Sequence, residues 1–137
     1  ISGINTAGIP DNIMKTLILD IKFNQKYFER VIHHEVFHII HDSYKDIFDE
    51  KVWSKFNIEA FKYAECSTCT KKVGLDTNLN PNGFITEYSQ STASEDMAEV
   101  FSHLMYGGFP ENVDPILEKK INFIKSNLLK IDKNFLL

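Results

Sequence analysis

Residues 24–42 read NQKYFERVIHHEVFHIIHD, and this stretch decides the fold. Asn24 is a suitable helix N-cap, because its side-chain oxygen can accept a hydrogen bond from the first turn. Apolar residues then recur at helical spacing, at Phe28, Val31, Ile32, Val36, Ile39 and Ile40. The pattern predicts an amphipathic helix through about Asp42, with one apolar face turned to the core.

The same helix carries an HExxH motif, His34-Glu35-Val36-Phe37-His38. Residues four apart lie one turn apart, so both imidazoles project from one face and can fill two of the four positions around zinc. Glu35 lies to one side of that pair, where a general base can reach a metal-bound water. Zinc acidifies such a water and polarises a carbonyl, which suits amide hydrolysis. A chance match is the alternative, but polar residues on a buried helix need an explanation.

The other histidines of this helix, His33 and His41, have no assigned role. A position at the surface or behind the ligands is favoured for both. The metzincin extension HExxHxxGxxH is absent, since Ile39-Ile40-His41 follows His38. The third ligand is therefore not the histidine of that pattern.

A second acidic pair, Glu95 and Glu99, lies on a helix predicted from Ser94 to about Met105. Catalytic zinc sites with two histidines commonly take their third ligand from a carboxylate on a separate helix. Because Glu95 and Glu99 are four residues apart, they share one face. The arrangement suggests Glu95 as the third ligand and Glu99 as the carboxylate that orients a histidine ligand.

A purely structural role for Glu95 stays open at this point. Thr92 and Glu95 have the spacing of a capping box, and an acidic first turn stabilises a helix in any case. Ser94 is an N-cap by default. If Glu95 only caps the helix, His103 is the fallback ligand, four residues after Glu99.

Together, the two motifs resemble the gluzincin zinc peptidases, in particular the anthrax lethal factor-like peptidases and small zinc-binding metallopeptidases of bacteria. In those families the helix with the third ligand carries an E-x-x-A-E-x-F pattern, which Glu95, Ala98, Glu99 and Phe101 match. In the lethal factor group a tyrosine seven residues before that glutamate stabilises the oxyanion, and Tyr88 has this position. The resemblance thus implies a zinc peptidase with Glu95 as ligand and Tyr88 as a catalytic residue. Without it, Tyr88 is a loop aromatic that covers the core.

Further predicted elements are a strand at 16–21 and helices at about 46–56 and 113–129. Residues 58–63 either extend the helix at 46–56 or form another helix. Residues 66–90 are predicted to be a long loop region. We therefore expect a mainly helical, zincin-like α+β fold in one domain, residues 1–137. In this fold a small sheet edges the active-site cleft, with the strand from Thr16 along the cleft.

Composition limits the partners. The formal net charge is −4, and no block of lysine and arginine is longer than a pair, which argues against nucleic acid and anionic membranes. No apolar run approaches the roughly 20 residues that span a bilayer, and residues 1–10 lack the pattern of a signal peptide. The expected partner is a peptide or protein substrate, and the oligomeric state stays open.

The two cysteines, Cys66 and Cys69, form a lone CxxC pair. A four-cysteine zinc site would need a second pair, which the sequence lacks. The pair is either a disulfide in an exported protein or two unremarkable thiols in an intracellular one. The location therefore stays open, with export slightly favoured.

The leading hypothesis is a zinc-dependent peptidase, by default an endopeptidase, that uses one Zn²⁺ ion. The rival is a catalytically silent binding module in which zinc only stabilises the fold. Glu35 argues against this rival, because a structural tetrahedral site has no use for a base beside an open position. A third hypothesis, a metal-free helical interaction protein, requires the HExxH motif to be coincidence.

Overall fold

A computed structural model describes residues 8–20, 22–78 and 81–135. Within these ranges the elements are β1 (Gly8–Asp11), β2 (Thr16–Leu19), α1 (Gln25–Ser43), α2 (Glu50–Ser54), α3 (Ala93–Tyr106) and α4 (Pro115–Ile131). Short 3-10 turns at Ser67–Cys69 and Tyr88–Gln90 interrupt the long connection between α2 and α3. The predicted mainly helical α+β fold with a small sheet is confirmed. None of the helices in the described ranges is long and apolar enough to cross a membrane.

The core lies between α1, α3 and α4. Phe37 is fully buried, and its ring lies 5.1 Å from the rings of both Phe48 and Phe101. Around this contact pack further fully or nearly fully buried side chains, among them Trp53, Ile85, Met97, Val100, Ile124 and Leu128. Because Phe37 lies inside the HExxH motif, the core fixes the rotation of α1 about its axis and thereby the direction of the histidines.

The helix ends follow the capping chemistry of the sequence. Asn24 caps α1 as predicted, its side chain accepting a hydrogen bond from the Lys26 N–H. At α3 the N-cap is Thr92, which accepts from the Glu95 N–H at 3.2 Å, so the default assignment of Ser94 as N-cap is wrong. Ser94 is instead the second residue of the helix, and its hydroxyl is free for other contacts.

The second helix is much shorter than the predicted 46–56. Asp49 caps α2 by accepting from the Lys51 and Val52 N–H groups, which delays its start to Glu50. The apolar pattern behind the prediction comes from Trp53, Phe48 and Phe56, which pack into an aromatic cluster rather than along a long helix. Residues 58–63 have no helical conformation.

The sheet is an antiparallel hairpin in which Ile9 pairs with Ile18. The strand from Thr16 is present as β2, and its predicted end at Ile21 lies outside the described residues. The other strand, β1, was not predicted because its glycine and proline are typical of turns rather than strands. It is β1, and not the strand from Thr16, that lies along the cleft.

Candidate metal centre

Helices α1 and α3 bring His34, His38 and Glu95 together. The Glu95 Oε2 atom lies 2.8 Å from His34 Nε2 and 3.1 Å from His38 Nε2. The two Nε2 atoms are themselves 3.1 Å apart. The three side chains are 7%, 18% and 13% exposed in the order given, so the atoms meet in a largely water-excluded place.

This donor set fits zinc. Zinc binds imidazole nitrogen and carboxylate oxygen at roughly 2.0–2.2 Å in a tetrahedron, which places neighbouring ligand atoms about 3.3 Å apart. Two ring nitrogens that face each other at 3.1 Å with a carboxylate oxygen beside them need a shared cation or proton. Three protein ligands would also leave one tetrahedral position open, as catalytic zinc sites do.

Glu99 lies behind the histidines rather than with the three converging atoms. Its Oε1 atom is 2.8 Å from His34 Nδ1, and its Oε2 atom accepts a hydrogen bond from the Thr86 hydroxyl at 2.8 Å. The Arg30 guanidinium lies 3.7 Å from the same Oε2 atom. Glu99 is therefore held in place by two partners and can accept the Nδ1 proton of His34, which leaves the Nε2 lone pair facing His38.

The two glutamates control the charge of the site. Burial lowers the pKa of His34, but the hydrogen bonds and charges of Glu95 and Glu99 outweigh this and raise it to about 10. Burial acts to raise the pKa of Glu95, but the hydrogen bonds with His34 and His38 hold it well below its usual range. The metal-free site thus keeps a proton on His34 at neutral pH, and a metal ion has to displace that proton.

Glu35 lies in the same cleft but is not one of the three converging residues. Burial raises the pKa of Glu35, while the charges of His34 and His38 act to lower it. The Glu35 side chain also packs against β1, where a Cβ atom on Gly8 would be only 2.9 Å from Glu35 Cγ. The position of the Glu35 side chain therefore depends on the absence of a side chain at residue 8.

If Glu35 is the general base that the sequence predicts, Gly8→Ala should lower peptide cleavage by about tenfold or more, because displacing a catalytic group by about 1 Å can cost up to a hundredfold in rate. Zinc affinity should stay unchanged, since none of the three converging side chains is touched. The measurements are kcat/KM and the zinc dissociation constant. Gly107→Ala is the control, because a Cβ atom there would meet nothing within 4 Å. Full activity of Gly8→Ala would contradict the packing argument.

Tyr88 also lines the cleft, in the 3-10 turn before α3. Its ring centroid lies 5.8 Å from that of His34. Burial, and then the charge and hydrogen bond of Glu95, raise the pKa of Tyr88 far above its ordinary value. The phenol is thus protonated at neutral pH and can donate a hydrogen bond into the cleft.

The cleft has a volume of about 990 Å³. Its walls come from β1, α1, the start of α3 and the segment between Ser67 and Leu75. Cys66 and Cys69 form a disulfide at the start of this segment, with their Cα atoms 5.2 Å apart. The CxxC pair is therefore a disulfide and not two free thiols.

Two alternatives from the sequence can be compared with the geometry. In one, Glu95 only caps α3, and in the other, His103 is the third ligand. Thr92 does cap the Glu95 N–H, but the Glu95 side chain is turned to His34 and His38 and not back to the cap. The fallback ligand His103 does not join the group, since its Nδ1 atom donates to the Glu99 carbonyl oxygen at 2.9 Å. The predicted residues that come together are thus those on α1 and at the start of α3.

Sequence reasoning missed most of the residues that support the site, although a place behind the ligands was one of the two positions that it favoured for His41. Arg30 and Thr86 hold Glu99, and neither has a recognisable motif, because their contacts join segments far apart in the chain. Ser94 and His41 contact each other behind His38. The crowding of histidines on α1 was the one available signal for His41.

Comparison with known families gives one result. Residues 4–132 match the family described as "Putative zinc-binding metallo-peptidase". Comparisons with curated proteins and with solved structures gave no match. The matched segment includes both motif helices, and the three converging side chains on them form a donor set suited to the metal that the family description names. The chain therefore belongs to this family of zinc-binding metallopeptidases.

Proposed function

We propose that the protein is an endopeptidase of the gluzincin type that holds one Zn²⁺ ion through His34, His38 and Glu95. Family membership supports a zinc peptidase in general. The observation that carries the finer proposal is the meeting of three ligand atoms beside Glu35, a carboxylate that takes no part in the group. A base next to an incomplete tetrahedron is the arrangement that hydrolysis requires.

The residues divide the chemistry among them. A zinc ion, when bound, supplies an acidified water and polarises the scissile carbonyl. Glu35 accepts a proton as the water attacks and passes it to the leaving amine. Tyr88, a protonated phenol on the wall of the same cleft, donates a hydrogen bond to the developing oxyanion. Glu99 keeps the His34 ring in place through Nδ1.

The substrate backbone would lie along β1. One edge of β1 is paired with β2, and Gly8, Ile9 and Pro10 line the cleft. An extended peptide can add to the other edge by β-augmentation, with its scissile carbonyl near the ligands. Pro10 has no N–H and therefore offers a peptide no backbone donor at that position.

The test of this function is metal content and cleavage measured on the same preparation. We expect about one zinc per chain, cleavage of a diverse peptide library, loss of cleavage with a chelator and recovery when zinc is added back. Bound zinc without any cleavage would favour the silent binding module. Protein purified without chelator and free of stoichiometric metal would exclude both zinc hypotheses.

The roles of the two glutamates give a separate prediction. Glu99→Ala should weaken zinc binding by about 10–100-fold, the usual effect of losing a partner behind a ligand. Glu95→Ala should weaken it further, because it removes a ligand itself. The measurement is competition with a chromophoric chelator, and Glu29→Ala, on the exposed side of α1, is the control. Equal losses would contradict this division of roles.

A further inference from the structure

Ser94 lies between two histidine rings on α1. Its Oγ atom is 3.3 Å from His38 Nδ1 and 3.2 Å from His41 Nδ1. Both distances allow a hydrogen bond. In each ring the atom that faces Ser94 is Nδ1, so Nε2 points elsewhere. Ser94, the residue directly before Glu95, therefore connects the start of α3 to the HExxH helix.

One placement of the protons satisfies both hydrogen bonds of Ser94, with His38 donating to Ser94 and Ser94 donating to His41. His38 Nε2 faces His34 and Glu95, so a metal bound there leaves the only ring proton of His38 on Nδ1. That N–H donates to the Ser94 oxygen. Among the hydrogen bonds of Ser94 within the described ranges, the acceptor for its hydroxyl proton is then the Nδ1 lone pair of His41.

The ring of His41 is held in place independently of Ser94. It is 6% exposed, stacks on Phe37 with centroids 6.0 Å apart, and meets Phe48 edge to face at 6.5 Å. Its Nε2 atom lies 3.7 Å from a Glu50 carboxylate oxygen, a distance that attracts the ring proton to that side without forming a hydrogen bond. Burial lowers the pKa of His41, so a neutral ring is favoured, and the ring also has a hydrogen bond with the Phe48 backbone. A ring proton on Nε2, next to Glu50, leaves the Nδ1 lone pair for Ser94.

We infer that Ser94 and His41 are positioning residues for the zinc ligand His38. The inference rests on the zinc site of the proposed function. His34 is oriented by the Glu99 carboxylate. His38 is oriented by the Ser94 hydroxyl, whose own proton is donated to the buried imidazole of His41. The two ligands thus differ in their partners: a charged acceptor makes His34 the more basic ligand, and a neutral pair mainly fixes the ring angle of His38.

The main experiment measures zinc affinity by competition with a chromophoric chelator. Ser94→Ala should weaken zinc binding by about tenfold, and Ser94→Thr, which retains the hydroxyl, should restore it. His41→Phe keeps a ring between Phe37 and Phe48 but removes the Nδ1 acceptor, and should also weaken binding. His33→Phe is the matched control on the same helix, and its affinity should equal that of the wild type.

A second readout is the tautomer of each ring, from ¹⁵N chemical shifts of the zinc-loaded protein. We expect the proton of His38 on Nδ1 and that of His41 on Nε2. Zinc affinity within twofold of the wild type in both Ser94→Ala and His41→Phe would overturn the inference, as would a proton on Nδ1 of His41. Wild-type protein that takes up no zinc would overturn the proposed function together with it, whereas unchanged variants of a zinc-binding wild type would overturn this inference alone.

Discussion

Glu35→Gln is expected to lower kcat by about 10²–10⁴-fold while the protein keeps its zinc, because general acid–base catalysis usually contributes that much to a rate. Glutamine has nearly the same shape as glutamate but cannot accept a proton from the attacking water. Since Glu35 is not among the three converging residues, the dissociation constant for zinc should change by less than about threefold, the effect of one nearby charge. The two measurements are peptide cleavage and zinc affinity on one preparation.

The control for this variant is Glu29→Gln, which makes the same change at an exposed position on α1. Its cleavage rate should match that of the wild type. If Glu35→Gln loses zinc as well as activity, Glu35 is a ligand and not the base. If it retains more than about a tenth of the activity, another group performs the proton transfer.

The first motif could be predicted from the sequence because its geometry is local. The spacing of His34 and His38 determines that both rings leave one face of a helix, and Asn24 and the apolar stripe give the bounds of that helix. The buried face differs from the predicted stripe, since the buried residues of α1 are Val31, His34, Phe37 and His41, of which only Val31 belongs to the stripe. The same holds for Glu95 and Glu99, whose shared face follows from a spacing of four residues. Spacing alone could not determine which face of α1 meets which face of α3. That depends on the packing of Phe37 against Phe101.

The parts that could not be predicted depend on contacts between distant segments. β1 has weak local signals and exists because β2 pairs with it, as in the pair Ile9 and Ile18. The length of α2 was overestimated because buried aromatic residues around Trp53 imitate a helical pattern. The partners behind the proposed ligands, such as Thr86 for Glu99, carry no motif at all. Their roles follow from tertiary structure alone.

The largest expected effect on stability concerns Asp96, the residue after the proposed third ligand. Its Oδ2 atom accepts hydrogen bonds from Lys120 Nζ at 2.7 Å, Trp53 Nε1 at 2.9 Å and the Tyr63 hydroxyl at 2.6 Å. Asp96 and Lys120 are both completely buried, and Lys120 also donates to the Gly83 carbonyl oxygen at 2.7 Å. This buried ion pair connects α3 to α4 next to the candidate metal centre.

Asp96→Ala is expected to lower the free energy of unfolding of the metal-free protein by about 3–5 kcal/mol, because it leaves the Lys120 ammonium buried without its counter-charge. The measurement is urea denaturation without zinc, since bound zinc would stabilise the folded state and mask part of the loss. Asp46→Ala, an aspartate on the surface, is the control and should change the free energy of unfolding by less than about 0.5 kcal/mol.

The double variant Asp96→Ala with Lys120→Met separates the cost of an unpaired charge from the loss of the contacts themselves. Methionine can fill the space of the Lys120 side chain, whose Nζ atom lies 3.9 Å from the centroid of the Phe84 ring. Replacing a buried ion pair by apolar groups is often nearly neutral, so the double variant should recover more than half of the stability lost in Asp96→Ala. A double variant as unstable as Asp96→Ala would mean that the hydrogen bonds of Trp53 and Tyr63 to Asp96, and not the charge of Lys120, hold α3 in place.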